Sequence, residues 1–198
     1  VLTGNTLSAF EYDGSVIWTL SGEGFTCASQ ILATDLTGDG KSEFILASDE
    51  GIKVVDPDGE VLQNLQLVSE SFCVGEMEST QGLELCSASG NMLYLYTWNS
   101  SLERFVSNDS KQLSFSPTPS SYALASSDLN GNSYDDIVYC CGYINSEFPP
   151  TGYNSLVVYD WETGGTPYTK TRNDIGCKVT PAIGELDSDY VVGWPCGW

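Results

Sequence analysis

Four stretches of the chain set oxygen-bearing side chains at alternate positions just ahead of an apolar run. The clearest is Asp35-Leu-Thr37-Gly-Asp39-Gly-Lys41-Ser-Glu43, which runs into Phe44-Ile-Leu-Ala-Ser48. A second good copy is Asp128-Leu-Asn130-Gly-Asn132-Ser-Tyr134-Asp-Asp136, followed by Ile137-Val-Tyr139. A looser one is Glu76-Met-Glu78-Ser-Thr80-Gln-Gly82-Leu-Glu84, and a shortened one is Glu185-Leu-Asp187-Ser-Asp189. Carboxylates, amides and hydroxyls at this spacing suit one chemistry above others, the holding of a hard cation. Calcium takes six to eight oxygens at about 2.3–2.6 Å, and alternate side chains of a tight loop converge on one point. Gly38 and Gly40 let the backbone curl around that point. The plainer alternative is a turn closed by Asp or Asn side chains, with no ion.

These loops need strands to hold them, and the flanking sequence supplies strand signals. A short apolar segment precedes each copy, as in Gln30-Ile-Leu-Ala33 and Pro181-Ala-Ile-Gly184. After each of the first three comes a period-two apolar unit with a turn: Ile52 to Leu62 through Asp58-Gly59, Leu93 to Trp98, and Leu156 to Trp161 before Gly164-Gly165. No window carries a sustained helical period with caps, so almost no helix is expected. The copy starting at Glu185 lacks a following hairpin, and the N-terminus offers one without a preceding loop, Leu7 to Trp18 through Asp13-Gly14. Joining the two ends completes a fourth repeat. The expectation is therefore an all-β chain of one domain over 1–198: a small β-propeller of four blades, the last closed by both termini, since closure removes exposed sheet edges. A cut from a longer tandem array, left open, is the alternative.

The pattern Asp-x-Asn/Asp-x-Asp-Gly-x-x-Asp/Glu with an apolar strand behind it resembles the FG-GAP or VCBS repeat, the calcium-loop blade of integrin-α-like propellers. The resemblance covers the chain as four repeats, starting near 35, 76, 128 and 185. It implies calcium held at the first, third, fifth and ninth positions and by the main-chain carbonyl of the seventh. Carried onto this sequence, the ligands are Asp35, Thr37, Asp39, the Lys41 carbonyl and Glu43 in the first loop. They are Asp128, Asn130, Asn132, the Tyr134 carbonyl and Asp136 in the third. The second offers Glu76, Glu78, Thr80, the Gly82 carbonyl and Glu84, and the fourth Glu185, Asp187 and Asp189. Thr37 departs from the usual acid or amide, two amides lower the charge of the third site, and the fourth lacks a ninth-position acid. An EF-hand fails, because it needs a carboxylate eleven positions after the first ligand, where Leu46, Ser87, Tyr139 and Cys196 stand.

The whole chain carries 27 acidic and 7 basic residues in 198, a net charge of −20. Such a charge repels nucleic acid and anionic membrane surfaces, and no stretch approaches the length of a membrane-spanning helix. Eleven of the acids fall among the proposed ligands, so calcium is expected to relieve their repulsion and stabilise the fold. There is no histidine, and the seven cysteines form no Cys-x-x-Cys pair, which argues against structural zinc. Cysteine in an acidic, Gly- and Tyr-rich chain points to an oxidising compartment. Cys27 and Cys177 hold matching positions before their loops, and a bridge such as Cys27 to Cys196 is plausible, though spacing does not fix connectivity. The sequons at Asn99 and Asn108 agree with secretion. The chain begins at Val1, which reads as a processed product or a segment of something longer. Ser114 to Ser121 reads as an inter-blade connection or a site for O-linked sugars. The aromatic-bearing insert Cys141 to Tyr153 is a candidate for stacking on sugar rings.

Without histidine, triads and zinc hydrolase sites are closed to this chain, and no phosphate-cradling loop or Gly-x-Ser-x-Gly elbow is present. The resulting expectation is an extracellular calcium-binding module, not an enzyme. It would serve adhesion, or form the repeating unit of a surface assembly or fibre, through self-association or other extracellular proteins, with no nucleic acid and no membrane insertion. The alternative is a carbohydrate-binding propeller, and after it a polysaccharide-active enzyme domain.

Overall fold

The computed structural model describes residues 2–3, 5–25, 30–48, 50–67, 71–79, 82–115, 119, 121–144, 152–172, 182–186 and 189–193. Among them the chain is all β, with no helix. The alternating apolar runs fold as antiparallel meanders in which neighbours in sequence are neighbours in the sheet. β1 (Leu2–Thr3), β2 (Thr6–Phe10) and β3 (Val16–Ser21) form a three-stranded sheet. Three four-stranded sheets follow. The first is β4 (Ile31–Thr34), β5 (Glu43–Ser48), β6 (Gly51–Val55) and β7 (Val61–Leu65). The next is β8 (Phe72–Gly75), β9 (Glu84–Ser89), β10 (Met92–Asn99) and β11 (Arg104–Gln112). The last is β12 (Ser121–Ser127), β13 (Asp136–Ile144), β14 (Gly152–Asp160) and β15 (Gly165–Arg172). A hairpin of β16 (Ala182–Leu186) and β17 (Asp189–Gly193) ends the described chain. The hairpins read from Asp13-Gly14, Asp58-Gly59 and Gly164-Gly165 all form, with Gly14, Gly59 and Gly164 in the left-handed region.

The chain divides into two compact units, one of 1–70 with 98–105 and one of 71–97 with 106–198. In the first, Leu7, Phe25, Leu46 and Val55 form a buried cluster against which Trp18 and Phe44 pack edge to face. Gly59 gives Trp18 room: a Cβ there would lie 2.8 Å from the indole, whose Nε1 donates to the Pro57 carbonyl at 2.8 Å. The Gln63 side chain bonds both ways with the Phe105 backbone, at 2.9 and 2.7 Å. Lys53, almost wholly buried, reaches Glu50 at 3.0 Å and Glu23 at 3.4 Å.

The second unit holds the larger core. Met77, Leu93, Leu95, Leu124, Tyr139 and Trp161 are among its buried members. Strand β12 packs beside β8, where Leu124 N–H donates to Ser71 Oγ at 2.9 Å and Ser126 Oγ donates to the Val74 carbonyl at 2.9 Å. The Tyr139 hydroxyl donates to the Gly90 carbonyl.

Candidate functional site

In each four-stranded sheet the acidic motif is the connection between the first and second strands. The pairs Thr34↔Glu43, Gly75↔Glu84 and Ser127↔Asp136 close the three loops at the same register, so each connection has the same length. The ninth-position acid is in every case the first residue of the second strand. The fourth copy differs. Leu186 pairs with Asp189 and Glu185 with Tyr190, so Glu185 and Asp189 lie on strands with only two residues between the paired ends. Asp187 lies outside the described residues, as do Thr80, Cys27, Cys177, Cys196, Trp194, Trp198, residues 116–118 and 120 of the Ser/Pro stretch and 145–151 of the aromatic insert.

Two clasps recur in the loops. The first is made by the first-position aspartate. Asp35 Oδ1 accepts from the N–H groups of Gly38 (2.7 Å) and Asp39 (3.2 Å), and Oδ2 from Gly40 (2.9 Å). Asp128 repeats this with Gly131 (2.7 Å), Asn132 (3.2 Å) and Ser133 (2.9 Å). The N–H of Gly40, and then those of Gly38 and Asp39, hold the Asp35 carboxyl below its ordinary range. The second clasp is made by the ninth-position acid, which turns inward onto the N–H of the second position. Glu43 accepts from Leu36 at 2.7 Å, Glu84 from Met77 at 2.8 Å and Asp136 from Leu129 at 3.0 Å. All three acids are buried, and Leu36 and Met77 are buried beside them while Leu129 packs on a core cluster. These acids, read from the sequence as ion ligands, therefore each commit an oxygen to closing the loop. The apolar residue at the second position, present in every copy, was the available signal for that plug.

A further set of residues comes from the other end of the meander. The turn between the third and fourth strands lies at the same end of the sheet as the loop, and an oxygen-bearing side chain caps it in all three sheets. Asp56 accepts from Asp58 (2.9 Å) and Glu60 (2.7 Å), Asn99 from Ser101 (3.1 Å) and Leu102 (3.0 Å), and Asp160 from Thr163 (3.0 Å). In the third sheet the two ends meet: Asn130 Nδ2 donates to both Asp136 Oδ1 and Asp160 Oδ2, each at 3.3 Å. Burial first, then repulsion from Asp160 and Asp128, raises the Asp136 carboxyl above its ordinary range. Asp160, thirty residues from its loop, was invisible as a neighbour in the sequence; it returns to the third site the charge that its two amides remove.

Asp135 joins the second loop to the third. Its Oδ2 accepts from the Glu76 N–H at 3.2 Å, and its own N–H donates to the Glu76 carbonyl. A Cβ on Gly75 would fall 2.0 Å from that oxygen. Burial first, then Asp128 and Glu76, raises the Asp135 carboxyl. Glu78 accepts from Asn108 Nδ2, which also donates to Thr97 Oγ1 at 2.9 Å, so the nitrogen of that sequon is engaged.

The donors are oxygens throughout, which suits a hard cation and no softer metal. Among the described residues no three acidic or cysteine side chains come close enough to hold an ion by themselves. Asp39 Oδ1 and Asn132 Oδ1 are turned to the N–H groups of Lys41 and Tyr134, both at 2.8 Å. Ion binding at these loops therefore requires amide, hydroxyl and carbonyl oxygens beside the acids, as the loop sequences provide.

No protein-family profile and no curated protein sequence matches the chain. Solved structures do. The exotype rhamnogalacturonan lyase YesX aligns with 82% of this chain at 14% identity and a TM-score of 0.53. The rhamnogalacturonan lyase PL11 of Bacillus licheniformis aligns with 96% at 13% identity and the same TM-score. The chain spans 42% and 48% of the length of those two proteins. At such identity the likeness establishes fold alone. It nonetheless corrects the expectation that this chain is not an enzyme, because its fold is one on which lyases are built. The absence of histidine, of a phosphate-cradling loop and of a Gly-x-Ser-x-Gly elbow removed the familiar sites, and no pair stands out among the 27 acids, whereas carboxyl, tyrosine and lysine side chains also serve as general acids and bases.

Proposed function

We propose that the chain is a polysaccharide-active domain of calcium-loop propeller type that works outside the cell on uronate-containing polysaccharide of the rhamnogalacturonan class. The observation that carries this reading is the fold it shares with two rhamnogalacturonan lyases over 82% and 96% of its length. The three four-stranded meanders are its full blades, while β1–β3 and β16–β17, expected from the sequence to share a fourth, lie in separate sheets among the described residues. The loops at 35–43 and 128–136 are its principal calcium sites, in keeping with the FG-GAP or VCBS resemblance. In the third, Asp128, Asn130, Asn132, Asp136 and the Tyr134 carbonyl hold the ion, with Asp160 beside them.

Charge gives the ion a second task. A protein of net charge −20 and a polyuronate repel each other. Calcium, if held by the loop residues at that end of the sheets, would supply positive charge that offsets the repulsion. The test is to titrate the protein with rhamnogalacturonan in excess calcium and in chelator, while following the ultraviolet absorbance of the double bond that an elimination leaves in its product. The reading predicts calcium-dependent binding, with turnover if this chain carries the catalytic groups. Absence of both binding and turnover in calcium overturns it.

A further inference from the structure

Strands β8 and β9 place Cys73 directly opposite Cys86. Opposed residues on antiparallel strands have Cα atoms about 4.5–5.5 Å apart, within the roughly 4.4–6.8 Å that a disulfide spans. Side chains so placed emerge on one face of the sheet. Both cysteines are buried, at 3% and 0% exposure, and both belong to the core of the second unit. The register is pinned two residues away by Gly75↔Glu84 and by the Glu84 clasp on the Met77 N–H. The adjacent Cys140 and Cys141 have a different setting: Ala123 and Leu156 oppose the first, Tyr122 and Ser155 the second.

We propose that Cys73 and Cys86 form a cross-strand disulfide when the chain folds in an oxidising medium, closing the second loop at its base. The bond would join two positions already opposed in the sheet and tie residues 73 to 86 into a ring that contains the whole loop. One thiolate attacks a small-molecule disulfide such as oxidised glutathione, releasing one small thiol and leaving a mixed disulfide; the second thiolate then displaces the other small thiol. Two protein thiols and one small disulfide become one protein disulfide and two small thiols, so electrons and protons balance. The exchange precedes packing of the sheet, since burial, and then the neighbouring Cys73, push the Cys86 thiol well above its ordinary range and leave little thiolate. This loop has Glu76 where the first and third have the clasping Asp35 and Asp128, so a covalent closure serves where the aspartate is missing.

The experiment is peptide mapping of the full chain, refolded from the reduced state in a mixture of oxidised and reduced glutathione. The protein is then unfolded with alkylating agent and no reductant, digested and weighed. The expected product is a peptide pair joined through Cys73 and Cys86, lighter by two hydrogen atoms than the two thiol peptides and separated by reductant. In Cys73→Ala, Cys86 becomes alkylated. Alkylation of both cysteines in the wild-type chain, or a bond from either to another cysteine, overturns the proposal, and the wild-type map decides the matter even if the variant fails to fold.

Discussion

Ser133 holds a φ of 74° at the position where the first loop has Gly40 at 86°. The left-handed region costs a side-chain-bearing residue about 1 kcal/mol or more, part of which a glycine returns as chain entropy in the unfolded state. Ser133→Gly is therefore expected to raise stability by up to about 1 kcal/mol, and Gly40→Ala to lower it by about 1–2 kcal/mol, both read from denaturant midpoints. The alanine methyl at position 40 meets no clash, since nothing lies within 4 Å of a Cβ there. The buried clasp gives a second prediction at this scale. Glu84→Ala leaves the Met77 N–H buried without its acceptor and should cost about 1–3 kcal/mol, whereas Glu84→Gln keeps an acceptor oxygen and should cost less. Equal losses for the two variants would mean that the ionic charge of Glu84, and not the hydrogen bond, holds the loop.

At the scale of the loop, the contact between Gly75 and Asp135 predicts non-additivity. Gly75→Ala drives a methyl group into the Asp135 carboxylate and should cost about 1–3 kcal/mol. Combining it with Asp135→Ala should recover part of that loss, and strict additivity in a double-mutant cycle would remove Asp135 from its place against β8. Acid behaviour follows from the same geometry. Asp135 and Asp136 are raised in the folded chain, so the folded state binds their protons more tightly than the unfolded one. Lowering the pH through their folded values, while the unfolded groups stay ionised down to about 3.9, adds stability in calcium-free buffer. Asp35 works the other way: its value is lowered, so what it contributes is present above about 3.9 and is lost as the pH falls through its folded value. Melting curves between pH 7 and 3 should thus pass through a maximum on the acid side without calcium. With calcium the rise should shrink to the share of Asp135, because an ion holding Asp136 ionised competes with its proton. The loops were legible in the sequence because their chemistry is local, from Asp35 to Glu43 and from Asp128 to Asp136. Asp160, Asp135 and the pairing of Cys73 with Cys86 were not, because each depends on which strands come to lie side by side.

For the molecule as a whole, the alternation of Ile52 to Leu62, Leu93 to Trp98 and Leu156 to Trp161 was enough to predict an all-β chain of repeated hairpins. The meanders follow because short turns such as Asp58-Gly59 can join only antiparallel neighbours. The activity class was misread, since a composition without histidine constrains which bases are available and says little about which fold carries a reaction. Twenty-seven acids and seven bases, with Lys53 buried among acids, leave the chain dependent on some other source of positive charge if it is to meet a polyuronate. Calcium at the first and third loops is the source we propose. The most direct test is thermal unfolding at fixed protein concentration after chelator treatment, with and without excess calcium, in the wild-type chain and in Asp35→Ala plus Asp128→Ala. A clear rise in Tm with calcium is expected for the wild type and not for the double variant, as ligand binding to the native state requires. An unchanged wild-type melting curve, or an equal rise in the double variant, would contradict it and leave the loops as turns closed by their own side chains.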